Sequence, residues 1–454
     1  MKKRISFDYK ERIAKAVKFT FRRGTHLNEH KDTAGCATVR LPEPETVSIP
    51  LSQHIGAHAT PIVAVGDYVQ VGQVIGDVTE GLGCPVHASV SGTVKEISMH
   101  HNSQGLPVQY VVIENDGKHT WHASVKPWPK AVEETTAEEL VQIVRNAGIS
   151  GLGGATFPTY AKLQSAVGKV QTIIINCAEC EPYITSNHRL LLERGETVLS
   201  GVDVVMRVLG IGEGIIAIED NKPDAIKHLQ KLVKDGNYPN VRVCVMKTKY
   251  PQGDERQLVY ALLHKEIPFG KLPADVGCLI LNAETTSAIS RAFYRGLPLV
   301  SRIVTVTGDC VKNPQNVRAP LGASYKELID FCGGNVKEIK KLVCGGPMMG
   351  QAQWNLRAPV IKGTSAILAF SEEYDRINTQ NSPCIHCGMC VAHCPMHLMP
   401  NYLAQFTREH KYAEAEKLGV MSCVECGTCA YNCPAGVQIV QYIRTTKQAL
   451  RKKK

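Results

Sequence analysis

The chain has 454 residues, 44% of them hydrophobic and 21% charged, with a formal net charge of +10. At roughly 150 residues per domain, that length allows about three domains, each able to bury its own core. The composition is that of a soluble globular chain: no apolar run reaches the ~18–20 residues needed to span a bilayer, and no aromatic-rich basic patch argues for nucleic acid.

The N-terminus, Met1-Lys2-Lys3-Arg4-Ile5-Ser6, lacks the apolar core of a secretory signal. Residues 1–45 read as an arm with little core of its own. Gly24-Thr25-His26 and Leu41-Pro42-Glu43-Pro44-Glu45 mark irregular structure, with His26 a structural residue. Residues 46–125 alternate short apolar runs with glycine turns, as in Pro61–Val69, Val71–Gly76 and Ala88–Val94. That pattern predicts a small flattened β-barrel and resembles the barrel-sandwich fold of biotinyl and lipoyl carriers. Carriers present a lysine at the hairpin tip. Here Ser89-Val90-Ser91 stands in that place, so the expectation is a structural or docking module.

Residues 135–300 alternate helical and strand patterns, the sign of an α/β sheet. A helix is expected near Ala137–Asn146, where Glu138 and Glu139 suit a helix start. Gly151-Leu152-Gly153-Gly154-Ala155-Thr156-Phe157-Pro158-Thr159 follows, with Lys162 just beyond. Small residues let backbone N–H groups approach a phosphate and a lysine adds charge; the plainer alternative is a tight turn. Thr172–Ile175 reads as a buried strand. It ends in Asn176-Cys177-Ala178-Glu179-Cys180-Glu181-Pro182, polar groups at the carboxyl end of a strand, where open α/β sheets bind ligands. Cys177 and Cys180 form a Cys-x-x-Cys pair, but the interleaved carboxylates suit a ligand-binding edge better than a metal or redox pair. Gly210-Ile211-Gly212-Glu213-Gly214 precedes a strand, and so reads as a helix C-cap and turn rather than a nucleotide loop.

Residues 301–360 hold a strand at Ile303–Gly308, a short helix at Tyr325–Phe331 and a glycine turn at Gly345–Gly350, suggesting a small β-grasp-like module. Residues 375–450 contain eight of the 17 cysteines. They fall in two runs, Cys384-x-x-Cys387-x-x-Cys390-x-x-x-Cys394-Pro395 and Cys423-x-x-Cys426-x-x-Cys429-x-x-x-Cys433-Pro434. Three closely spaced thiolates wrap one [4Fe–4S] cluster and the fourth comes from the other run. Cluster one therefore takes Cys384, Cys387, Cys390 and Cys433, and cluster two takes Cys394, Cys423, Cys426 and Cys429. Zinc sites seldom use two such runs, and disulfide frameworks belong to small secreted chains. The other nine cysteines are scattered in apolar contexts such as Val243-Cys244-Val245, where free thiols suit a reducing compartment. The Arg451-Lys452-Lys453-Lys454 tail reads as solvated, with an anionic membrane surface or acidic partner as the alternative.

Ile49–Gly56, Gly151–Thr159, Asn176–Thr185, Tyr250–Leu258, Cys344–Gly350 and both cysteine runs together resemble the C subunit of the Rnf complex, a membrane-bound ferredoxin:NAD+ oxidoreductase, over nearly the whole chain. The central parts are also similar to the flavin- and NADH-binding subunit of respiratory complex I. That second likeness implies that Gly151, Gly153, Gly154 and Lys162 hold the phosphate of FMN. It places Asn176, Glu179 and Glu181 beside the isoalloxazine and nicotinamide, with the two glutamates at the reacting centre, and Glu255, Asn282 and Thr285 completing the pocket. The family often has glycine where Thr156 stands. The resemblance implies a multidomain α/β chain: a barrel-sandwich domain, a Rossmann-like flavin/NADH domain, a β-grasp-like (SLBB) module and an α-helical two-cluster ferredoxin domain. It implies hydride exchange with NAD(H) on FMN and single-electron relay through two [4Fe–4S] clusters at the cytoplasmic face of the cell membrane. The implied partners are the ferredoxin-like B subunit and integral membrane subunits that move Na+ or H+. Other readings are a soluble flavin-linked donor to a cytosolic reductase and a cluster-bearing bridge that binds no NADH.

Overall fold

The computed structural model describes residues 19–102, 105–372 and 382–452. The first part of the expected arm, the beginning of the cluster segment at 375 and the last two lysines of the basic tail lie outside them.

After a short strand β1 (Val39–Arg40), the barrel is built from β2 (Thr46–Pro50), β3 (Thr60–Pro61), β4 (Tyr68–Val69), β5 (Val74–Asp77), β6 (Val86–His87), β7 (Gly92–His101) and β8 (Pro107–Asn115). One sheet runs β2-β8-β7-β4 and the other β3-β5-β6. Val47, Ile49, Val69, Ile75, Val94, Val111 and Ile113 fill the space between them. This follows from period-two alternation, which sends every second side chain to one face. Ser89, Val90 and Ser91 are buried. The Ser89 hydroxyl donates to the carbonyl of Leu321 at 2.5 Å and that of Ser91 to Asp116 at 2.7 Å. The tip that carriers expose is here packed inward.

The next unit begins with α1 (Ala137–Asn146), closed by a capping box between Thr136 and Glu139, and α2 (Thr159–Ala166). A parallel sheet follows, β11-β10-β9-β12 in order, from β9 (Thr172–Cys177), β10 (Glu213–Glu219), β11 (Val241–Met246) and β12 (Cys278–Asn282). Ile174 lies between Ile215 and Ile280 in register, a continuous apolar layer covered on both faces. The covering helices are α3 (Ser186–Leu209), α4 (Pro223–Asp235), α5 (Glu255–Leu263) and α6 (Ala283–Arg295). Gly210 caps α3 in the left-handed conformation, which accounts for the glycine-rich stretch there without a nucleotide.

The third unit is a mixed sheet, β1-β14-β13-β17-β15-β16, from β13 (Ser301–Thr307), β14 (Gln315–Pro320), β15 (Lys341–Cys344), β16 (Gln351–Gln353) and β17 (Ala366–Phe370), with α7 (Tyr325–Phe331) capped by Ser324 and Glu327. The described part of the arm is woven into other cores. Its β1 pairs with β14 and Leu41 joins the core of this sheet, while Phe19 pairs with Met246 and Thr25 with Tyr250. Short helices α8 (Met389–His393), α9 (Pro400–Arg408), α10 (Tyr412–Lys417), α11 (Thr428–Tyr431) and α12 (Ile439–Lys452) form the last unit. Leu403, Ala415, Val420 and Ile443 pack there with Cys390 and Cys429. The chain between the two cysteine runs holds two helices, α9 and α10. Among the described residues no helix is long and apolar enough to cross a membrane.

Arg302 welds the second and third units. It pairs with Glu284 at 3.0 Å with both side chains nearly inaccessible, and its guanidinium donates to the carbonyls of Leu152 and Lys362. Removing one partner of a buried pair leaves the other charge without compensation. Arg302→Leu is expected to destabilise the chain by about 3–5 kcal/mol, read as a fall in the thermal unfolding midpoint of the intact protein. An unchanged midpoint would show that the pair is dispensable.

Candidate functional site

The carboxyl end of β9 is the meeting point of the sequence-predicted residues. The Asn176 amide donates to the carbonyl of Gly253 at 2.7 Å and its Oδ1 accepts from Ala178 N at 3.1 Å, so strand end and helix entry are tied together. Asp254 caps α5 through the N–H groups of Arg256 and Gln257. Glu255, in the first turn of α5, forms an ion pair with Lys162 of α2. At the end of the neighbouring strand β12, Asn282 caps α6 through Glu284 N at 2.9 Å, and the Thr285 hydroxyl accepts from Leu152 N at 2.9 Å. Gly153 faces the Asn282 side chain: a Cβ added there would lie 3.6 Å from it. The glycine loop thus lies beside Asn282 and Thr285 at the start of α6, Lys162 is paired with Glu255 at the start of α5, and Asn176 ends the neighbouring strand β9. The open backbone at Gly154, the Lys162 ammonium, held here by Glu255, and the Asn282 amide form a donor set of the kind a phosphate ester takes, and these residues fit FMN.

Two residues of the glycine loop have left-handed backbones, Gly154 at φ +110° and Thr156 at φ +48°. Glycine adopts this freely; a β-branched residue does so at the expense of about 1–2 kcal/mol. The Thr156 methyl also points at Gly363, where an added Cβ would approach it to 2.8 Å. The local backbone at position 156 thus favours glycine.

Glu179 and Glu181 have partners the sequence does not reveal. The Glu179 carboxylate, 5% exposed, accepts from Ser186 Oγ at 3.3 Å and from the backbone N–H groups of Asn187 and His188 at 2.8 and 3.3 Å. It caps α3. The Glu181 carboxylate accepts from Met348 N at 3.0 Å and Met349 N at 2.8 Å. A Cβ on Gly346 would come within 2.2 Å of it, so the glycine turn read at Gly345–Gly350 is what admits this carboxylate. Burial pushes the Glu181 carboxyl above its usual range, against the pull of the Met348 and Met349 amides.

Beneath this loop lies a charge network that sequence reasoning missed. Lys31, from the arm, donates to the carbonyls of Glu179, Glu181 and Ile184 at 2.8, 2.8 and 2.6 Å. Glu219, fully buried at the end of β10, accepts from Glu179 N at 3.0 Å and pairs with buried Lys222 at 2.9 Å. Burial lowers the Lys31 ammonium. At Lys222 burial acts the same way, but Glu219 and Glu179 outweigh it and raise the group. A cavity of about 110 Å³ opens here, bordered by His26, Lys31, Glu179 and Glu219. An isolated lysine in an arm has no sequence signature of such a role. Cys177 and Cys180 are free thiols that burial holds protonated.

The two cysteine runs approach each other crosswise. Burial and then the neighbouring Cys423, Cys426 and Cys394 raise the Cys429 thiol; burial raises Cys390, with Cys384 and Cys433 adding to it. Cys394 thus lies beside the second run and Cys433 beside the first. Cys384 and Cys387 are exposed, on the outer side of the first group. Among the described residues no three His, Cys, Asp or Glu side chains converge around a point suited to a single ion. Four thiolates drawn crosswise from two runs fit [4Fe–4S] ligation.

One residue joins the strand-end loop to the cluster loops. The Tyr250 hydroxyl, beside Glu181, donates to the carbonyl of Cys426 at 2.6 Å. Gln257 reaches the carbonyl of Pro395 at 3.4 Å, and the arm adds Gly24 N to the carbonyl of His393 at 3.1 Å.

Comparison with known proteins agrees with this geometry. Residues 19–118 match the RnfC barrel sandwich hybrid domain, 144–291 the Nuo51 FMN-binding domain, 303–352 the SLBB domain and 375–438 the 4Fe-4S dicluster domain. The chain is 43% identical over 437 residues to the C subunit of a Na+-translocating ferredoxin:NAD+ oxidoreductase complex of Acetobacterium woodii, covering 95% of this chain and 97% of that one. It belongs to the RnfC family. A second member, the C subunit of a proton-translocating ferredoxin:NAD+ oxidoreductase complex of Clostridium ljungdahlii, is 42% identical over 431 residues, 94% of this chain and 93% of its own. Among solved structures, an NAD+-reducing [NiFe]-hydrogenase chain matches with a TM-score of 0.52 at 17% identity, over 70% of this chain and 65% of that one, a likeness of fold alone. Family membership accounts for the four-unit order of barrel, FMN-binding, SLBB and cluster domains.

Two substitutions test the geometry. Lys31→Met strands three carbonyls without a donor, and at about 1–3 kcal/mol for a buried unsatisfied group is expected to destabilise the chain by about 3 kcal/mol or more and to weaken FMN retention; retention and midpoint equal to wild type would remove Lys31 from the site. Thr156→Gly is expected to raise stability by about 1 kcal/mol by relieving the left-handed β-branched backbone, measured by chemical denaturation with FMN content followed in parallel.

Proposed function

We propose that this chain is the NADH-oxidising and NAD+-reducing electron-transfer subunit of a membrane-bound ferredoxin:NAD+ oxidoreductase. FMN, when bound, supplies the conversion between a hydride pair and single electrons, and two [4Fe–4S] clusters supply one-electron carriage. Gly151, Gly153, Gly154 and Lys162 hold the flavin phosphate; Asn282 and Thr285 fix the loop that carries them. Asn176, Glu255 and the backbone of Glu179–Glu181 orient the ring. Glu179 and Glu181 shape the reacting centre through the backbone they pin, and supply the local negative charge beside the nicotinamide. Cys384, Cys387, Cys390 and Cys433 hold the first cluster, and Cys394, Cys423, Cys426 and Cys429 the second.

The observation that carries this reading is Tyr250. A single buried side chain touches both the strand-end loop and the backbone of a cluster cysteine, which makes the loop beside the proposed reacting centre and the second cluster loop neighbours. We read the parallel sheet of residues 135–300 as Rossmann-like, the mixed sheet of 301–360 as β-grasp-like, 46–125 as the barrel and 375–450 as the ferredoxin-type domain. In the complex, electrons pass to or from a ferredoxin-like B subunit, and integral membrane subunits couple the flow to Na+ or H+ movement. The chain sits peripherally at the cytoplasmic face.

Anaerobic titration of the cofactor-loaded protein with NADH, followed by visible absorbance, tests the assignment. Bleaching of the flavin band followed by the broad cluster absorption is expected. Lys162→Ala, which removes a charge-assisted contact of about 1.5–3 kcal/mol, is expected to weaken FMN binding at least about tenfold. Clusters that respond to dithionite but not to NADH, with no flavin released on denaturation, would reduce the chain to a cluster-bearing bridge.

A further inference from the structure

Lys362, in the segment before β17, is completely buried. Its Nζ donates to the carbonyl of Pro85 at 3.0 Å and reaches Sγ of Cys84 at 3.8 Å. Among the described residues no carboxylate pairs with it. Cys84, in the barrel just before β6, is equally buried. A buried ammonium is disfavoured unless something compensates its charge. Burial lowers the Lys362 ammonium, with the Cys84 thiol pulling the other way. Burial raises the Cys84 thiol, but Lys362 and His54 outweigh it and hold the thiol below its ordinary value. The buried imidazole of His87 is held at about 3 by burial and then by Lys362, so it stays neutral. Thiol with amine and thiolate with ammonium are thus two forms of one pair, differing by a proton moved across 3.8 Å.

Two neighbours fix the pair in place. His54 Nε2 accepts from Cys84 N at 3.1 Å, and Gln53 Oε1 accepts from Lys362 N at 3.1 Å. Both neighbours also line a cavity of about 340 Å³ between the barrel and the mixed sheet. The sulfur and nitrogen therefore lie one side chain behind an open wall, a layer that a small uncharged molecule such as dioxygen crosses through ordinary side-chain motion.

We propose that Cys84 and Lys362 are a site of oxidative cross-linking, joined through a single oxygen atom when the protein meets dioxygen. Thiol, amine and O2 give an S–O–N bridge and one water. The S–H bond, one N–H bond and the O–O bond break, and S–O and O–N bonds form. Sulfur and nitrogen lose two electrons each, and the two oxygen atoms gain the four. Both hydrogens leave in the water. An inserted oxygen spans the 3.8 Å gap with less movement than a direct S–N bond, which requires the two atoms to close further. The bridge ties the barrel to the segment on which the glycine loop rests, because the carbonyl of Lys362 accepts from Arg302 and Gly363 faces Thr156. The inference is independent of the NAD(H) reading above.

The test is peptide mass mapping of the cofactor-loaded protein, purified without oxygen and then divided between anaerobic buffer and air. In air a joined pair of peptides carrying Cys84 and Lys362 is expected, heavier than the two free peptides by one oxygen less two hydrogens. Alkylatable Cys84 is expected to fall in step, and dithiothreitol to return both free peptides. Cys84→Ser and Lys362→Gln, with FMN and iron content equal to wild type before exposure, are expected to give no joined pair. Cys84 that stays fully alkylatable in air overturns the proposal. So does Cys84 carried to sulfinic or sulfonic acid with Lys362 unlinked, and so does a joined pair that has gained no oxygen. The wild-type protein alone decides between these outcomes, whether or not the variants fold.

Discussion

The loop from Cys177 to Ile184 holds its shape because charge reaches it from four directions at once. Lys31 binds three of its carbonyls from below, and Glu219, compensated by Lys222, takes the N–H of Glu179. The N-terminus of α3 takes the Glu179 carboxylate, and the glycine turn of the mixed sheet takes that of Glu181. Buried charges are tolerated only when compensated: Glu219 is paired with Lys222, and the Lys31 ammonium and the Glu179 and Glu181 carboxylates are held by hydrogen bonds. Irregular backbone at a strand end would otherwise leave buried polar groups without partners. The network turns it into a fixed wall at the carboxyl end of β9.

The same contacts join the four units. Glu181 draws the mixed sheet against the loop, Lys31 draws in the arm, and Tyr250 reaches across to the backbone of Cys426. Arg302, bound to Glu284 and to the carbonyl of Leu152, locks the glycine loop and α6 to the first long strand of the mixed sheet. The barrel closes the set through Ser89 on Leu321 and Ile55 on Thr156. The strand-end loop, the glycine loop and the second cluster loop are therefore joined through buried contacts.

Much of this was legible in the residues. Ala137–Asn146 and Tyr325–Phe331 have the bounds expected of them, and in both a capping box, not read from the sequence, satisfies the first N–H groups locally. Gly210 closes its helix as a C-cap for the same local reason. The arm was harder to read. Its strand β1 and Leu41 complete a sheet whose other strands lie more than 250 residues later in sequence, and no local pattern carries that information. Asn176, Glu179 and Glu181 were recognisable as a polar cluster at a strand end, but their partners in α3 and the Met348 turn were not, since periodicity is silent about which side chain meets which backbone.

The sequence by itself determined the chemistry of the cluster domain. Three thiols at fixed short spacing are held near one another by the local chain, and the Cys-Pro ending marks where each run turns away. It also determined the order of the units and the strand that presents the polar edge. Only the tertiary structure decided that both glutamates are anchored, that Lys31 underlies the loop, and that Gln53 lines a cavity between the barrel and the mixed sheet. Spacing within about one turn is written in covalent geometry; contacts between residues hundreds of positions apart exist only once the cores have packed and excluded water between them.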